Sequence, residues 1–445
     1  MDPKEYKEQI LSLGAEYAFI VLLVGVLAYL FVRYRGYRVN PLIFFIIYLF
    51  PVSALYVDAG FHLFYHRIIV IGYFFVFFKR ILLGSTSPSG LINPTTISIC
   101  LFLFATIPGL ATCIGYNEYF RCFFSILAGI LLYLYILDQI QDTKQLESLI
   151  FSCIVSGFIW ALAGLMIFKT GNTTLSDIDI LQIYRLKSLA NDPNFFAIIL
   201  IGFIQLSLFW VIKKNNDDKF FGFVALVTMV IALIFTYSRG GYLAFAGIVF
   251  LNLFFFLIFR KQYFVLIDFK KIKVLSGIFI IALIVFPLVF NTIGQRFVSI
   301  KTQEQKGSGR IDIWKDAINV IKKNPLGVGL KNFELYTIKH RHEYKTAGSA
   351  VHNTFLQMLA ETGIVGFLFY MFFLGTIFLK IRYAKFMKDK NVFYWFTGTF
   401  ISINGIIICS LFLSNGYKEV FFIMLALCLG AYKLYRKGRI KNTFE

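Results

Sequence analysis

Long apolar stretches recur along almost the whole chain, and no other feature restricts its fold so tightly. A helix needs about 20 apolar residues to cross the hydrocarbon of a bilayer. On that scale the chain holds about thirteen such stretches, with twelve to fourteen as the range. They lie near 14–32, 41–57, 61–78, 95–114, 119–137, 147–168, 195–212, 219–237, 240–259, 273–293, 351–379, 392–413 and 417–433. Backbone polar groups in lipid must be satisfied within their own segment or in a closed barrel, and apolar runs this long without strand alternation predict helices. Composition agrees, at 58% hydrophobic and 15% charged, with a mean hydropathy of +0.73. The expected fold is an all-α polytopic membrane protein, with residues 1–445 as a single integral membrane domain. The first stretch exceeds the apolar core of a signal peptide and no small-residue cleavage site follows it, so it is expected to stay in the mature protein.

The net charge of +20 is mostly a topology signal rather than a nucleic-acid footprint, because Lys and Arg cluster in short loops. These are RYRGYR at 33–38, KR at 79–80, KK at 213–214, RKQ at 260–262 with KKIK at 270–273, KIRYAKFMKDK at 380–390 and YRKGRIK at 435–441. Cytoplasmic loops are the ones enriched in Lys and Arg. Placing all six clusters inside gives one consistent arrangement, with the N-terminus outside and the C-terminus inside. The outer face then receives a loop at 170–194, the turn at 237–241 and a long segment at 294–350 predicted to contain amphipathic helices. The six cysteines all fall in or beside spans, with no C-x-x-C, and read as free buried thiols.

Each outer piece carries a cation. In LQIYRLKSLANDPNFFAIIL, Arg185 and Lys187 precede a turn in which Asp192 or Asn194 can cap the next helix and Pro193 stiffens its entry. In IFTYSRGGYLAFAGIVF, Arg239 stands where two apolar stretches meet. Two glycines beside it allow a tight turn, and a guanidinium with exposed N–H groups suits a phosphate. In GSGRIDIWKDAINVIKKNPLGVGLKNF, Ser308 is the expected N-cap, Ile311, Trp314, Ile318 and Ile321 form an apolar stripe that could lie on the membrane surface or on the transmembrane bundle, and Asn324-Pro325 is the stop. Arg310 opens that helix, where its charge opposes the dipole and an anion would be welcome.

The stretch SAVHNTFLQMLAETGIVG, residues 349–366, places four polar groups where loop becomes span. Asn353, Gln357 and Glu361 share one helical stripe and are expected to brace the helix end, with Gly363 and Gly366 allowing close helix packing. Glu361, as an intramembrane carboxylate, must face the bundle and find a partner. His352 stands at the water boundary with a side chain able to take a proton near neutral pH.

Together, YRLKSLANDPNFFA, YSRGGYLA, the 307–333 segment and HNTFLQMLAETGIVG resemble the O-antigen ligase and O-antigen polymerase superfamily, in order and spacing, over residues 184–366. In SLANDPN an Asp stands where members often have Gly. The resemblance implies an all-helical, C-type, inverting glycosyltransferase of the hexosyl-transferring kind. It implies work on the periplasmic face of the bacterial inner membrane, without metal or cofactor, on a glycan linked to undecaprenyl diphosphate. Carried over by position, Arg239, Arg185 and Arg310 would hold the donor diphosphate. His352 would deprotonate the acceptor, and Asn353, Gln357, Glu361, Glu343 and Arg341 would be supporting residues.

Within the family a polymerase that joins lipid-linked repeat units is favoured over a ligase that hands the glycan to lipid A core. Aromatic content, span count and length weigh that way. The implied partners are the lipid-linked oligosaccharide, membrane lipid and a chain-length regulator, with no nucleic acid. A lipid-linked oligosaccharide transporter is the rival from another class, but its charges should surround a midplane cavity between repeats rather than gather at one face. Asp177-x-Asp179 resembles a sugar-nucleotide metal motif but sits in an outward loop. His340 and His342 lie in a strongly cationic stretch that reads as a solvated face.

Overall fold

The computed structural model describes residues 56–58, 62–64, 75, 91–168, 176–178, 184–188, 192–213, 219–266, 309–414 and 419–444. The spans expected near 14–32 and 273–293, and almost all of those near 41–57 and 61–78, lie outside them. Nine of the thirteen expected spans coincide with described helices: α1 Pro94–Ala105, α2 Tyr116–Gln139, α3 Thr143–Phe168, α4 Pro193–Ile212, α5 Lys219–Phe235, α6 Arg239–Ile258, α10 Thr354–Phe378, α11 Lys390–Ser410 and α12 Glu419–Phe444. Three shorter helices complete the described set: α7 Arg260–Leu266, α8 Arg310–Lys323 and α9 Phe333–Lys339. Among the described residues six helical segments are long and apolar enough to cross a membrane, and Pro94–Leu110 and Lys219–Phe235 are shorter apolar ones. Strand pairing among the described residues is confined to two antiparallel ladders. Tyr56–Asp58 pairs with His62–Phe64 where the second expected span would give way to the third, and Ser176–Ile178 pairs with Tyr184–Leu186.

Side-chain caps fix where several spans begin. Asn93, Asp192 and Asp389 each accept two backbone N–H groups of the following first turn, and Pro94 and Pro193 occupy first helical positions. Ser238 caps α6 by accepting the Gly241 N–H, and Asn353 caps α10 by accepting that of Leu356. α4 is buried nearly all round and α11 almost as fully, as expected for helices apolar on every face. α11 packs on α4, α6 and α12; α1 packs on α10, α2 on α12, and α4 on α5. α6 turns Val249, Phe250, Leu253 and Leu257 outward, each more than half exposed, the surface a lipid-facing helix needs. All six cysteines are free, five of them buried.

The two ends of the bundle differ in chemistry. One end carries Lys213 paired with Glu147, Lys380 bonded to Thr95, and Lys433 donating to the Leu137 carbonyl, together with Arg382 and Arg436. The other gathers residues 106–115, the turn at 236–238, the segment 309–353 and residues 411–414.

That segment has its own small core, built from Ala317, Val320, Val328, Phe333, Tyr344, Val351 and Ala360. Burying apolar side chains of this size contributes about 1.5–3 kcal/mol each for the larger ones. The apolar stripe of α8 is split between its inner and outer faces. Ile313, Asp316, Ala317 and Val320 face inward, Trp314 and Ile321 are partly buried, and Ile311 and Ile318 are exposed. Asp316 explains the split: its carboxylate accepts both the backbone N–H and the hydroxyl of Thr346, at 2.8 and 2.7 Å, so a charged residue belongs to the inner face. The helix N-cap is Gly309 with no side-chain cap; Ser308 lies outside the described residues.

Residues 325–329 dock edge-on against a break in α10. Gly363 has φ +69°, and a Cβ there would lie 2.3 Å from the Leu326 carbonyl carbon. Three backbone hydrogen bonds close the contact: Val328 to the Ala360 carbonyl, Gly329 to that of Glu361, and Ile364 to that of Pro325. The expected close approach at Gly363 is present, but between helix and loop rather than between two helices. Irregular backbone at a span is tolerated where protein satisfies its polar groups, as it does here.

Candidate functional site

Arg185 is held by two acceptors. Its Nε donates to the Thr236 carbonyl at 3.2 Å and one terminal nitrogen to Asn194 Oδ1 at 3.0 Å. The same Asn194 oxygen accepts the Ser238 hydroxyl at 3.0 Å. Asn194 therefore ties Arg185 to the residue that caps α6, whose first residue is Arg239. Asp192 does the capping of α4 and leaves Asn194 for this bridge. The glycines after Arg239 do something other than the expected exposure of N–H groups. Both are buried; a Cβ on Gly241 would meet Ala197 Cβ at 2.9 Å, and the Gly241 N–H is taken by Ser238. They bring α6 close to α4 and so set Arg239 at the end of the bundle.

Arg310 reaches the same place from α8. Burial and then the nearby charge of Arg239 push its guanidinium down to about 10, still cationic at neutral pH. It makes no hydrogen bond or ion pair among the described residues. A partly desolvated guanidinium beside a second cation is a place that favours an anion.

His352 is fixed through its backbone. Its N–H donates to Ser414 Oγ at 3.0 Å, and the Thr354 hydroxyl donates to the Leu413 carbonyl at 2.6 Å. The turn at 411–414 also touches α6, since a Cβ on Gly240 would lie 3.2 Å from Phe412 Cβ. That turn is the physical link between Arg239 and His352. The imidazole sits below its ordinary pKa of 6.5, through burial first and Arg310 next, with Asp192 and Glu334 opposing and Lys331 adding to the shift. It is thus neutral at pH 7, the form that accepts a proton.

Four residues other than glycine adopt left-handed backbone among the described ones: Ser188, Tyr237, Lys331 and His352, with φ between +48° and +56°. Each belongs to this end: three residues after Arg185, two before Arg239, in the loop beside Glu361, and at the histidine itself. Such strain persists where surrounding structure over-determines it, and it clusters at functional sites.

The remaining singled-out residues divide. Glu361, 1% exposed, accepts the Lys331 backbone N–H at 2.8 Å and the Gln357 side-chain amide at 2.8 Å, so both brace the loop beside the site. Asn353 is the α10 cap. Glu343 and Arg341 are exposed, and Glu343 is ion-paired to Lys323, away from the arginine cluster. His340 lies against the Tyr336 ring and its carbonyl, and His342 is exposed. Asp177 lies on a strand opposite Arg185, while Asp179 is outside the described residues. Sequence reasoning missed Ser414, Lys331 and Asn332. Asn332 Oδ1 accepts the backbone N–H groups of Ile114 and Gly115, binding the 106–115 turn to the loop at 325–332. Nothing local marks these polar residues; they matter through partners far away in sequence.

Two comparisons with known proteins bear on the family. Residues 224–371 match the family model described as O-antigen ligase, a stretch that contains Arg239, Arg310 and His352 and stops short of Arg185. The match supports the superfamily of O-antigen ligases and polymerases. An uncharacterized protein of Haemophilus influenzae is 28% identical over 190 residues, covering 39% of this chain and 46% of that protein. The chain therefore spans less than half the length of that relative.

Proposed function

We propose that the protein is a glycosyltransferase of the bacterial inner membrane that elongates a surface polysaccharide. It takes a glycan from undecaprenyl diphosphate on the periplasmic face and joins it to another lipid-linked repeat unit. One observation carries the reading: Arg185 from the strand before α4, Arg239 at the start of α6, Arg310 at the start of α8 and a neutral histidine before α10 lie at one end of an apolar bundle. Arg310 among them has no counter-ion among the described residues.

The chemistry follows from the charges. An acceptor hydroxyl attacks the anomeric carbon, forming the new C–O bond, and the bond from that carbon to the diphosphate oxygen breaks with its electron pair. The hydroxyl proton goes to the unprotonated imidazole nitrogen of His352. The leaving diphosphate gains negative charge, which preoriented guanidiniums stabilise more in the transition state than in the ground state. Attack from the face opposite the leaving group inverts the anomeric centre. Arg185, locked by Asn194 and Thr236, loses little freedom when it binds, and the start of α6 fixes the backbone of Arg239. Glu361, Gln357 and Asn353 hold the backbone around the base.

A ligase reading, with transfer to lipid A core, is favoured by the description of the matching family. Both need the same donor site and differ in the acceptor. Purified protein given the lipid-linked repeat alone should make a ladder if it polymerises, and product only with lipid A core if it ligates. Absence of any transfer under both conditions, with donor still bound, would remove the enzymatic reading.

A further inference from the structure

At the far end of α10 a cavity of about 670 Å³ opens between the N-terminus of α1, the 3₁₀ segment Leu379–Phe386 and the last turns of α12. It lies at the opposite end of the bundle from His352, since α10 starts at the histidine and runs about 37 Å to Phe378. Its lining contains Lys380, Arg382 and Arg436 and, among the described residues, no carboxylate. Lys380 is 7% exposed; its ammonium donates to Thr95 Oγ1 at 2.6 Å and the Thr376 carbonyl at 2.9 Å. An ammonium has three N–H donors, so one is left without an acceptor among the described residues. Arg382 lies over the Tyr383 ring, 4.9 Å from its centroid, and Lys380 over Tyr432 at 5.6 Å. The Tyr383, Tyr432 and Tyr435 rings form one aromatic wall, with centroids 5.6 to 6.4 Å apart. The outer lip is apolar: Phe372 and Leu379 are 56% and 58% exposed.

We infer that this cavity seats the headgroup of a dianionic phospholipid of the diphosphatidylglycerol kind. Its phosphates contact Lys380, Arg382 and Arg436, and its acyl chains run along Phe372 and Leu379. Charge decides the occupant. Among the described residues no acid faces these three cations, and the buried Lys380 is costly unless an anion neutralises it; a headgroup with two phosphates can reach more of the three than one phosphate can. Basic pockets between spans on the cytoplasmic side suit such headgroups. The tyrosines supply the amphipathic surface of a headgroup level, and the apolar lip continues into the lipid-facing side of α10. A soluble phosphate would have no use for that lip. The inference is independent of the transfer reaction and needs only that the bundle sits in a membrane.

Delipidated protein titrated with diphosphatidylglycerol, phosphatidylglycerol and phosphatidylethanolamine, read by native mass spectrometry, tests it. The double variant Arg382→Gln, Arg436→Gln is the probe, because both arginines are exposed and their loss leaves the buried core unchanged. Diphosphatidylglycerol should bind the wild type most tightly, and the double variant about thirtyfold more weakly, two surface arginine contacts' worth. An unchanged unfolding temperature in lipid-free detergent confirms that the variant is folded. Equal binding of diphosphatidylglycerol to both proteins overturns the proposal. So does phosphatidylethanolamine binding as tightly, or displacement of the phospholipid by an equimolar polyprenyl phosphate.

Discussion

The carboxylate of Glu361 accepts the backbone N–H of Lys331 at 2.8 Å, thirty residues away in sequence. Its second oxygen takes the amide of Gln357 at 2.8 Å. One buried acid thus ties the first turns of α10 to the loop that docks at Gly363, and that loop lies beside His352 and Arg310. Glu361→Ala leaves the Lys331 N–H without its acceptor and opens a cavity. The expected cost is roughly 2–4 kcal/mol from the unsatisfied groups and the lost packing. Glu361→Gln keeps an acceptor oxygen for Lys331 and should cost about 1 kcal/mol. Thermal unfolding in detergent separates the two; equal unfolding temperatures for wild type and Glu361→Ala would reduce this acid to a bystander.

His352 combines a functional side chain with a left-handed backbone, so the choice of substitution matters. Asn tolerates φ near +53° far better than Ala does. His352→Asn should fold like the wild type and lose about 10²–10⁴-fold in transfer, the usual effect of deleting a general base. Donor binding should persist, because the arginines are untouched. His352→Ala should lose the same activity and additionally unfold at lower temperature. Transfer by His352→Asn within a few-fold of wild type would return the histidine to a purely structural role.

The lowered pKa of His352 fixes the direction of the pH dependence. A base works in its neutral form, and burial plus Arg310 favour that form. Activity should therefore hold as pH drops through 6.5 and fall only below it. Removing the Arg310 charge, as in Arg310→Met, should move that acidic limb upward while lowering the maximal rate. A limb at the same pH in both proteins would mean that His352 is not the titrating base.

How much of this was visible in the sequence depends on the range of each interaction. Apolar length marked nine of the described helices, because lipid imposes a local rule on each segment. Arg239, Arg310 and His352 stood out because charges beside apolar runs are conspicuous. The inner face of α8 was not legible because Asp316, a charged residue, turns inward to Thr346, and binary patterning assigns charge to solvent. The break at Gly363 was hidden because glycine pairs also serve helix packing, and only the loop 325–329 reveals which use is made. Ser414 gave no sign of itself, since its role is to receive one backbone N–H from a residue 62 positions earlier.

Loop charges carry the sidedness of the site. Cysteines introduced at Ser308 and at Lys385, on a background without the native Cys100, should respond oppositely to an impermeant thiol reagent on intact spheroplasts. Ser308 is expected to react and Lys385 to be protected. Labelling at Lys385 alone would place the arginine cluster in the cytoplasm, where the proposed donor does not present its glycan.

Arg239→Lys isolates geometry from charge. The substitution keeps the positive charge at the first position of α6 and leaves the Ser238 cap and the glycine packing intact, so insertion and unfolding temperature should match the wild type. What it removes is the planar fork that can meet two phosphate oxygens at once. Loss of one preorganised donor to a developing anion costs on the order of 10²–10³-fold in kcat, and an ammonium in its place restores only the point charge. We expect transfer to drop by about 10²-fold, with a smaller change in KM, because the diphosphate is most negative as it leaves. Wild-type turnover in Arg239→Lys would mean that this arginine merely extends its charge to the membrane surface, and the donor site would then rest on Arg185 and Arg310 alone.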